Sequence, residues 1–422
     1  MERRKTMQDK VIESYFKKER DRQNNGIELI ASENYPSMDV REAQASIFGS
    51  KYAEGYSGHR YYGGCENIDA VEDLAEQRAE RLFDCRYANV QTHSGSQANF
   101  AAYIALLEKG DKVLSLFLND GGHLTHGSPV SFSSHDYSFS HYPLGGDGRL
   151  DYKGIEERLD EVNPNLFLAG YSAYPYEIDF KRMREIIDKH NSHSSTHCDF
   201  MVDMAHIAGI VAARLCQNPC DYADIVTSTT HKTLRGPRGG LILTNREDLI
   251  RKIKSAVFPY SQGGPLEHVI AAKAICFAEA LHPEFKEYVA RLMENTKACA
   301  DELSRLGCDS SGSENHLFLL NVLSSFGISG KEAQSKLEEV GITTNKNMIH
   351  GDTLSPALTS GIRIGFAAST TRGCTKIDAI KIARLIYRTL KCEDKEKIKE
   401  EVKEIVSRWK DVDTLSFPVL TD

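Results

Sequence analysis

Between residues 66 and 280 the chain alternates short apolar runs with longer stretches in which apolar residues recur every three or four positions. Short apolar runs predict strands, and the longer periodic stretches predict helices. Strands are predicted at 112–117, 165–170, 200–203, 223–227 and Gly240–Thr244, with helices between them at 97–107, 181–190 and 248–257. This alternation favours an α/β fold with a mainly parallel sheet and helices on both faces.

The flanking segments have a different pattern. Residues 8–24 predict a charged helix, which is followed by an arm at 26–34. A long helical stretch at 264–307 precedes a smaller α+β region, with a strand at 317–323, a helix at 330–340, a strand at Gly361–Gly365 and a helical tail. Since 422 residues exceed what one core usually holds, we expect a helix and arm at 1–65, a large α/β domain at 66–282 and a small α+β domain at 283–422.

Composition excludes several classes of function. A net charge of −8 gives no general attraction to nucleic acid or to an anionic membrane. No apolar run is long enough for a membrane span, and the charged start at residues 1–5 does not resemble a secretory signal, so a cytoplasmic protein is expected. The ten cysteines are scattered, and Cys216 and Cys220 lack zinc-site spacing, so we expect reduced thiols and no metal site.

The segment most informative about chemistry is 228–240, STTHKTLRGPRGG. It places Lys232 before a turn rich in Gly and Pro, 29 residues after Asp203, which ends a short apolar run. Pyridoxal phosphate (PLP) chemistry needs such a pair, because a lysine forms the Schiff base and a carboxylate keeps the pyridine nitrogen protonated. In an open α/β sheet both residues would lie at the carboxyl ends of strands, where ligands bind.

Three other segments contain groups that suit a phosphorylated pyridine. Residues 92–99 place Ser94, Gly95 and Ser96 at the start of a predicted helix, where backbone N–H groups and the helix dipole favour a phosphate. His123 follows two glycines and could stack on a flat ring, although a lone histidine in such a place is more often a structural one. The glycines of 258–265 could bring backbone amides close to an anion.

Together these segments resemble the serine hydroxymethyltransferase family of fold-type I PLP-dependent transferases. The resemblance runs from IELIASEN at Ile27 to TTRG ending at Gly373, and it includes KYAEGYSGHRYYGGCE at 51–66 and THKTLRGPRGG. It implies a seven-stranded, mainly parallel sheet and a homodimer, or a dimer of dimers, with shared active sites. The implied reaction is the interconversion of serine plus tetrahydrofolate with glycine plus 5,10-methylenetetrahydrofolate.

The resemblance also implies a role for each matching residue. Those implied to act in catalysis are Glu54, His123, Asp203, His206 and Lys232. Those implied to bind PLP are Ser94, Gly95, Ser96, His123, Ser172, Asp203, His206, His231 and Lys232, with Tyr52, Gly263 and Gly264 from a second subunit. Those implied to bind the amino acid are Ser32, Tyr62, His206 and Arg363, of which the arginine grips the carboxylate. Those implied to bind folate are Glu54, Tyr61, Leu118, Gly122, Leu124, Asn347 and Phe258.

Some positions depart from the family pattern. The departures are Ser57 in place of Pro, Tyr260 in place of Gly, Phe366 in place of Thr, His350 in the segment on the folate side, and Asp120 before the double glycine. They leave the PLP positions intact, so an inactive scaffold is disfavoured. Two alternatives to the serine reaction stay open, namely a folate-independent aldolase or transaldolase and a hydroxymethyltransferase for a substituted serine such as 2-methylserine.

Overall fold

The computed structural model describes residues 7–420 of the chain. Within them the α-helices are α1 Lys10–Asn25, α2 Met38–Gln44, α3 Glu66–Phe83, α4 Gly95–Leu106, α5 Ser133–Asp136, α6 Tyr152–Val162, α7 Phe180–His193, α8 Ala208–Ala212, α9 Glu247–Ser255, α10 Glu267–Leu281, α11 Pro283–Arg305, α12 Val322–Phe326, α13 Gly330–Glu338, α14 Ala367–Arg372, α15 Lys376–Leu390 and α16 Lys395–Val406. The strands are β1 Ile27–Glu28, β2 Gly55–Tyr56, β3 His59–Arg60, β4 Tyr87–Asn89, β5 Lys112–Leu116, β6 Ser138–Tyr142, β7 Leu166–Ala169, β8 Asp199–Asp203, β9 Ile225–Thr229, β10 Gly240–Thr244, β11 Asp309–Ser310, β12 Leu317–Asn321, β13 Ile342–Thr343, β14 Asn345–Asn347 and β15 Gly361–Gly365.

The main sheet has seven strands in the order β4-β10-β9-β8-β7-β5-β6. The strands from β9 to β6 are parallel to one another, and β10 runs antiparallel to both of its neighbours. The predicted α/β class and the mainly parallel sheet are therefore confirmed. Strands β4 and β6 are absent from the strands predicted above, because β4 has only three residues and β6 reads SFSHY, a mostly polar edge strand.

Alternate residues of the central strands enter two separate apolar cores. Leu166 and Leu168 of β7 belong to one core, whereas Phe167 and Ala169 belong to the other. Because successive side chains of a strand point to opposite faces, the sheet is buried on both sides. Full burial of each large side chain contributes about 1.5–3 kcal/mol, which makes the sheet a rigid support for the loops at its edge.

The C-terminal region contains an antiparallel sheet in the order β11-β12-β15-β14, and β1 of the N-terminal arm pairs with β13. The predicted strand at 317–323 ends at Asn321, whose side chain accepts a hydrogen bond from the Ser324 amide and begins α12. The stretch predicted at 264–307 contains two helices that separate at His282. The cause is Pro283, since a proline disfavours helical backbone in the residue before it.

No helix within residues 7–420 has both the length and the apolar character needed to cross a bilayer. The charged start at residues 1–5 lies outside the described part of the chain.

Candidate active site

Lys232 and Asp203 lie at the carboxyl edge of the main sheet. Asp203 is the last residue of β8, and Lys232 follows the end of β9 by three positions. Lys232 is buried, and burial lowers the pKa of its ammonium to about 8, although the charge of Asp203 acts in the opposite direction. Asn34 of the N-terminal arm donates to the Lys232 carbonyl at 2.9 Å, which fixes the backbone from which the amine extends.

The Asp203 carboxylate is held ionised by its neighbours. Its Oδ2 accepts a hydrogen bond from Asn99 Nδ2 at 2.8 Å and lies 3.2 Å from His126 Nε2, while its Oδ1 accepts from the Ala205 amide at 3.0 Å. Burial alone would raise the pKa of Asp203, but the hydrogen bond from His126 and the nearby positive charges hold it well below its usual range. The carboxylate is therefore a stable negative charge in a dry site.

His123 is held as a neutral ring in a single tautomer. Its Nδ1 accepts a hydrogen bond from the Thr125 amide at 3.2 Å and lies 2.8 Å from the Thr125 hydroxyl. Because Nδ1 accepts from the amide it carries no proton, so the Thr125 hydroxyl, which also accepts from Asn99 at 2.8 Å, donates to His123. Burial lowers the pKa of His123 to about 4. The ring thus carries its proton on Nε2 and adds no charge at neutral pH.

The start of α4 lies against the end of β9, close to Lys232 in the chain, and has groups that suit an anion. Ser94 caps the helix by accepting from the Gln97 amide at 3.2 Å, and Gly95 and Ser96 form its first turn. A Cβ at Gly95 would lie 2.5 Å from Thr229 Cγ2, so only glycine lets the helix start this close to the end of β9. The buried Thr229 Oγ1 and His231 Nδ1 beside Lys232 lack a hydrogen-bond partner among the described residues. These groups suit a phosphate.

Arg363 is a buried guanidinium whose partners in the described chain are all neutral. It donates to the Ser172 carbonyl at 2.6 Å, to Asn345 Oδ1 at 3.3 Å and to Ser32 Oγ at 3.4 Å. Burial lowers the pKa of Arg363 to about 10. No Asp or Glu among residues 7–420 forms a salt bridge with it. A buried cation without a counter-ion is costly, so the geometry favours a ligand that brings a carboxylate.

His206 is buried against a second histidine that the sequence did not indicate. Its Nδ1 lies 3.1 Å from Nε2 of His316, and the Thr233 hydroxyl donates to its backbone carbonyl at 2.9 Å. Ser172, expected near the ring hydroxyl of PLP, uses its carbonyl for Arg363 and donates its amide to Gly121 at 2.8 Å.

A second group of site residues lies together on the surface, and we name it the outer cluster. It contains Tyr52, Glu54, Tyr61, Tyr62, Phe258, Gly263 and Gly264. Tyr52 packs edge-on against Tyr62 at 5.2 Å, and Tyr61 packs against Phe258 at 5.7 Å. The three tyrosines are 46–75% exposed, so this cluster offers a large aromatic surface to another molecule.

The remaining folate candidates lie on two neighbouring segments. Leu118, Gly122 and the half-exposed Leu124 follow β5, and Asn347 ends β14. His350 and Asp120, two of the departures from the family pattern, contact each other. His350 Nδ1 lies 2.8 Å from Asp120 Oδ1, so this pair connects the segment after β14 to the segment after β5.

The other three departures lie in three different environments. Phe366 is completely buried in the larger apolar core. The Tyr260 ring is 69% exposed, and its centroid is 6.4 Å from that of Phe100. Ser57 donates to Asp73 at 3.0 Å.

Sequence reasoning missed several residues that hold the site together, namely Asn34, Asn99, Thr125, His126 and His316. Asn99 lies in the segment 92–99, and His126 lies three positions after His123. A search for polar residues on the buried face of α4 would have indicated Asn99. His316 gives no local signal, since it is an isolated histidine before β12.

A buried lysine beside an ionised, hydrogen-bonded carboxylate, at the carboxyl edge of a mainly parallel sheet, is characteristic of a fold-type I PLP-dependent enzyme. The family model of serine hydroxymethyltransferase matches residues 5–386, and the chain belongs to that family. The family consists of PLP-dependent one-carbon transferases that act with tetrahydrofolate.

Proposed function

We propose that this protein transfers a one-carbon unit between serine and tetrahydrofolate, with glycine as the other product, using PLP bound to Lys232. The observation that carries the proposal is the buried Arg363. Its three hydrogen-bond partners within the described chain are neutral, so its surroundings favour a bound carboxylate. An amino acid supplies that carboxylate, and a guanidinium can hold both of its oxygens.

The residues around Lys232 fit the cofactor. Asp203, His123, Lys232, His231 and the Ser94–Ser96 turn would hold its ring and phosphate. The Thr229 hydroxyl, which has no partner among residues 7–420, would suit a phosphate oxygen. When bound, PLP supplies an electron sink for the bond cleaved at the substrate Cα. Asp203 would hold a proton at the pyridine nitrogen, and His123, which is neutral, would add no competing charge beside the ring.

Arg363, Ser32 and His206 orient the amino acid. Arg363 fixes the carboxylate, and Ser32, which lies 3.4 Å from the guanidinium, adds a hydroxyl beside it. Fixing the carboxylate would set the orientation of the groups on the substrate Cα, so orientation is the main contribution of these side chains.

The outer cluster supports an assembly of two chains or a multiple of two. Its exposed tyrosines and Glu54 contact each other and the 258–264 loop. We infer that the outer cluster of a second copy closes the site of the first, so that Glu54 and Tyr62 reach the substrate and Tyr61 and Phe258 contact folate together with Leu118, Gly122, Leu124 and Asn347. The proposed assembly is therefore a homodimer or a dimer of such dimers.

The test is serine cleavage by the holoenzyme with and without tetrahydrofolate. We expect turnover of about 1 to 1,000 per second with folate and a much lower rate without it. Threonine and 2-methylserine run in parallel separate the alternatives. Rapid cleavage of threonine without folate would indicate an aldolase, and a preference for 2-methylserine with folate would indicate the substituted-serine reaction.

A further inference from the structure

Two histidines and a carboxylate meet where helices α6 and α7 end, in a cluster with no member among the active-site residues. Asp160 lies in the last turn of α6, and His190 and His193 lie in the last turn of α7. Asp160 Oδ1 lies 2.6 Å from His190 Nδ1 and 3.3 Å from His193 Nε2. The three ligand atoms all lie within 4.8 Å of one another. Two imidazoles and a carboxylate are ligands that zinc uses in proteins.

The second ring nitrogen of His190 already has a fixed partner. Its Nε2 lies 3.2 Å from Asn163 Oδ1, which also accepts from the Ser194 hydroxyl at 2.7 Å. The Asn163 amide group donates to Thr196 Oγ1 at 3.3 Å, so the carbonyl oxygen faces His190. Nε2 therefore donates, and the lone pair of a neutral His190 lies on Nδ1, towards Asp160. Metal-binding histidines are oriented by this kind of bond.

The surroundings of the cluster favour a cation. Two helix C-termini meet there, and each carries a partial negative charge. Lys189, which precedes His190 in the chain, is paired with Glu156. The His190 side chain is only 4% exposed, whereas those of Asp160 and His193 are 47% and 54% exposed. An ion can therefore reach the cluster from solvent, with the buried His190 as its inner ligand.

We propose that Asp160, His190 and His193 bind a divalent transition-metal ion of the zinc type. His190 Nδ1, His193 Nε2 and a carboxylate oxygen of Asp160 are the three protein ligands, and water completes the coordination. The sequence predicts no metal site, because its cysteines lack zinc spacing and local patterns do not reveal that α6 and α7 end together. A bound ion would join the two helix ends and raise the melting temperature of the holoenzyme.

Isothermal titration of the chelator-treated, PLP-loaded holoenzyme with ZnCl₂ tests the proposal. We expect one equivalent per chain in the wild type. His193→Ala and Asp160→Asn each change a half-exposed residue, and each should weaken binding at least about tenfold, as losses at metal sites do. His197→Ala is the matched control, because this exposed histidine lies four positions further along, beside Asp199. It should bind zinc as the wild type does.

Melting of each variant without zinc shows whether it is folded. Two results would overturn the proposal. One is the absence of a zinc equivalent in the wild type, which would leave the cluster as an ion pair. The other is unchanged zinc binding in both His193→Ala and Asp160→Asn, which would locate the ion elsewhere. Serine turnover does not enter either result, so the test is independent of the proposed reaction.

Discussion

His206 and His316 form a buried pair in which Nδ1 of the first lies 3.1 Å from Nε2 of the second, although 110 positions separate them in the chain. Burial lowers the pKa of His316 to about 3 and that of His206 well below its usual range. Both rings are therefore neutral, and one donates its N–H to the other. Because His316 immediately precedes β12, the C-terminal region fixes the ring orientation of a residue that follows β8.

Loss of the His316 ring should impair catalysis more than folding. In His316→Leu the buried Nδ1 of His206 lacks its partner, a change worth about 1–3 kcal/mol, so we expect kcat/KM for serine to fall about tenfold or more. His316→Gln keeps an N–H donor and should recover part of the rate. The pH profile of kcat/KM, measured together with the melting temperature, separates a loss of catalysis from a loss of stability. Equal rates for both variants would mean that the pair only fills space.

Lys232 should be the lysine that binds PLP covalently. Lys232→Ala should lack the visible absorption band of a lysine-bound cofactor. Lys273 is the matched control, because it is equally buried but donates to the carbonyls of Val90, Thr92 and Gly240 at 2.6–3.0 Å. Lys273→Met should lower the melting temperature, because three buried acceptors lose their donor, and should keep the band. A band that persists in Lys232→Ala would assign the cofactor to another lysine.

Arg363→Ala should weaken amino-acid binding much more than PLP binding. A charge-assisted contact in a buried site is worth about 3 kcal/mol, so the affinities for serine and glycine should fall roughly a hundredfold. Arg363→Lys should recover only part of the affinity, since an ammonium cannot form the bidentate contact. Arg372, another buried arginine, donates to the carbonyls of Gln23, Asn24 and Lys410. Its alanine variant should lose stability without a selective loss of serine affinity.

The Phe366 departure should affect stability and leave substrate choice unchanged. Because the Phe366 ring is fully buried in the core, Phe366→Thr should cost about 3–5 kcal/mol, the range for large aromatic truncations. Tyr260→Gly changes an exposed ring and should cost about 1 kcal/mol or less. Thermal unfolding and serine turnover with folate check both variants. A gain of serine turnover in Phe366→Thr would contradict this prediction, because it would show that this buried side chain affects the amino-acid site.

Covalent loading of PLP should depend on pH through Lys232. Only the neutral amine attacks, and burial lowers its pKa from 10.5 to about 8. The loading rate of the cofactor-free enzyme should therefore rise about tenfold per pH unit below 8 and become constant above it. The Asp203 charge raises the pKa of Lys232, so Asp203→Asn should shift the midpoint to lower pH. Absorbance after rapid mixing measures the rate, and a midpoint near 10.5 would contradict the buried amine.

Local patterns were enough to predict much of the fold. The strand Gly240–Thr244 and the strand Gly361–Gly365 were predicted with their observed bounds, because each apolar run is delimited by residues that break the pattern. Strand β6 was missed, since an edge strand is paired on one side only and need not be apolar. The spacing of Lys232 and Asp203 indicated PLP because parallel strands place their carboxyl ends at one edge.

The sequence by itself determined the sheet, the lysine with its carboxylate, and the family, since each of these depends on residue type and short spacing. Tertiary structure alone decided which polar groups meet. Asn34 reaches the Lys232 carbonyl, Asn99 links Asp203 to Thr125, and His316 reaches His206, all over separations that no periodicity encodes. It also placed Phe366 in the core and joined Asp120 to His350. The physical reason is that a buried polar group must find a partner wherever the packed chain brings one, and packing is a property of the whole fold.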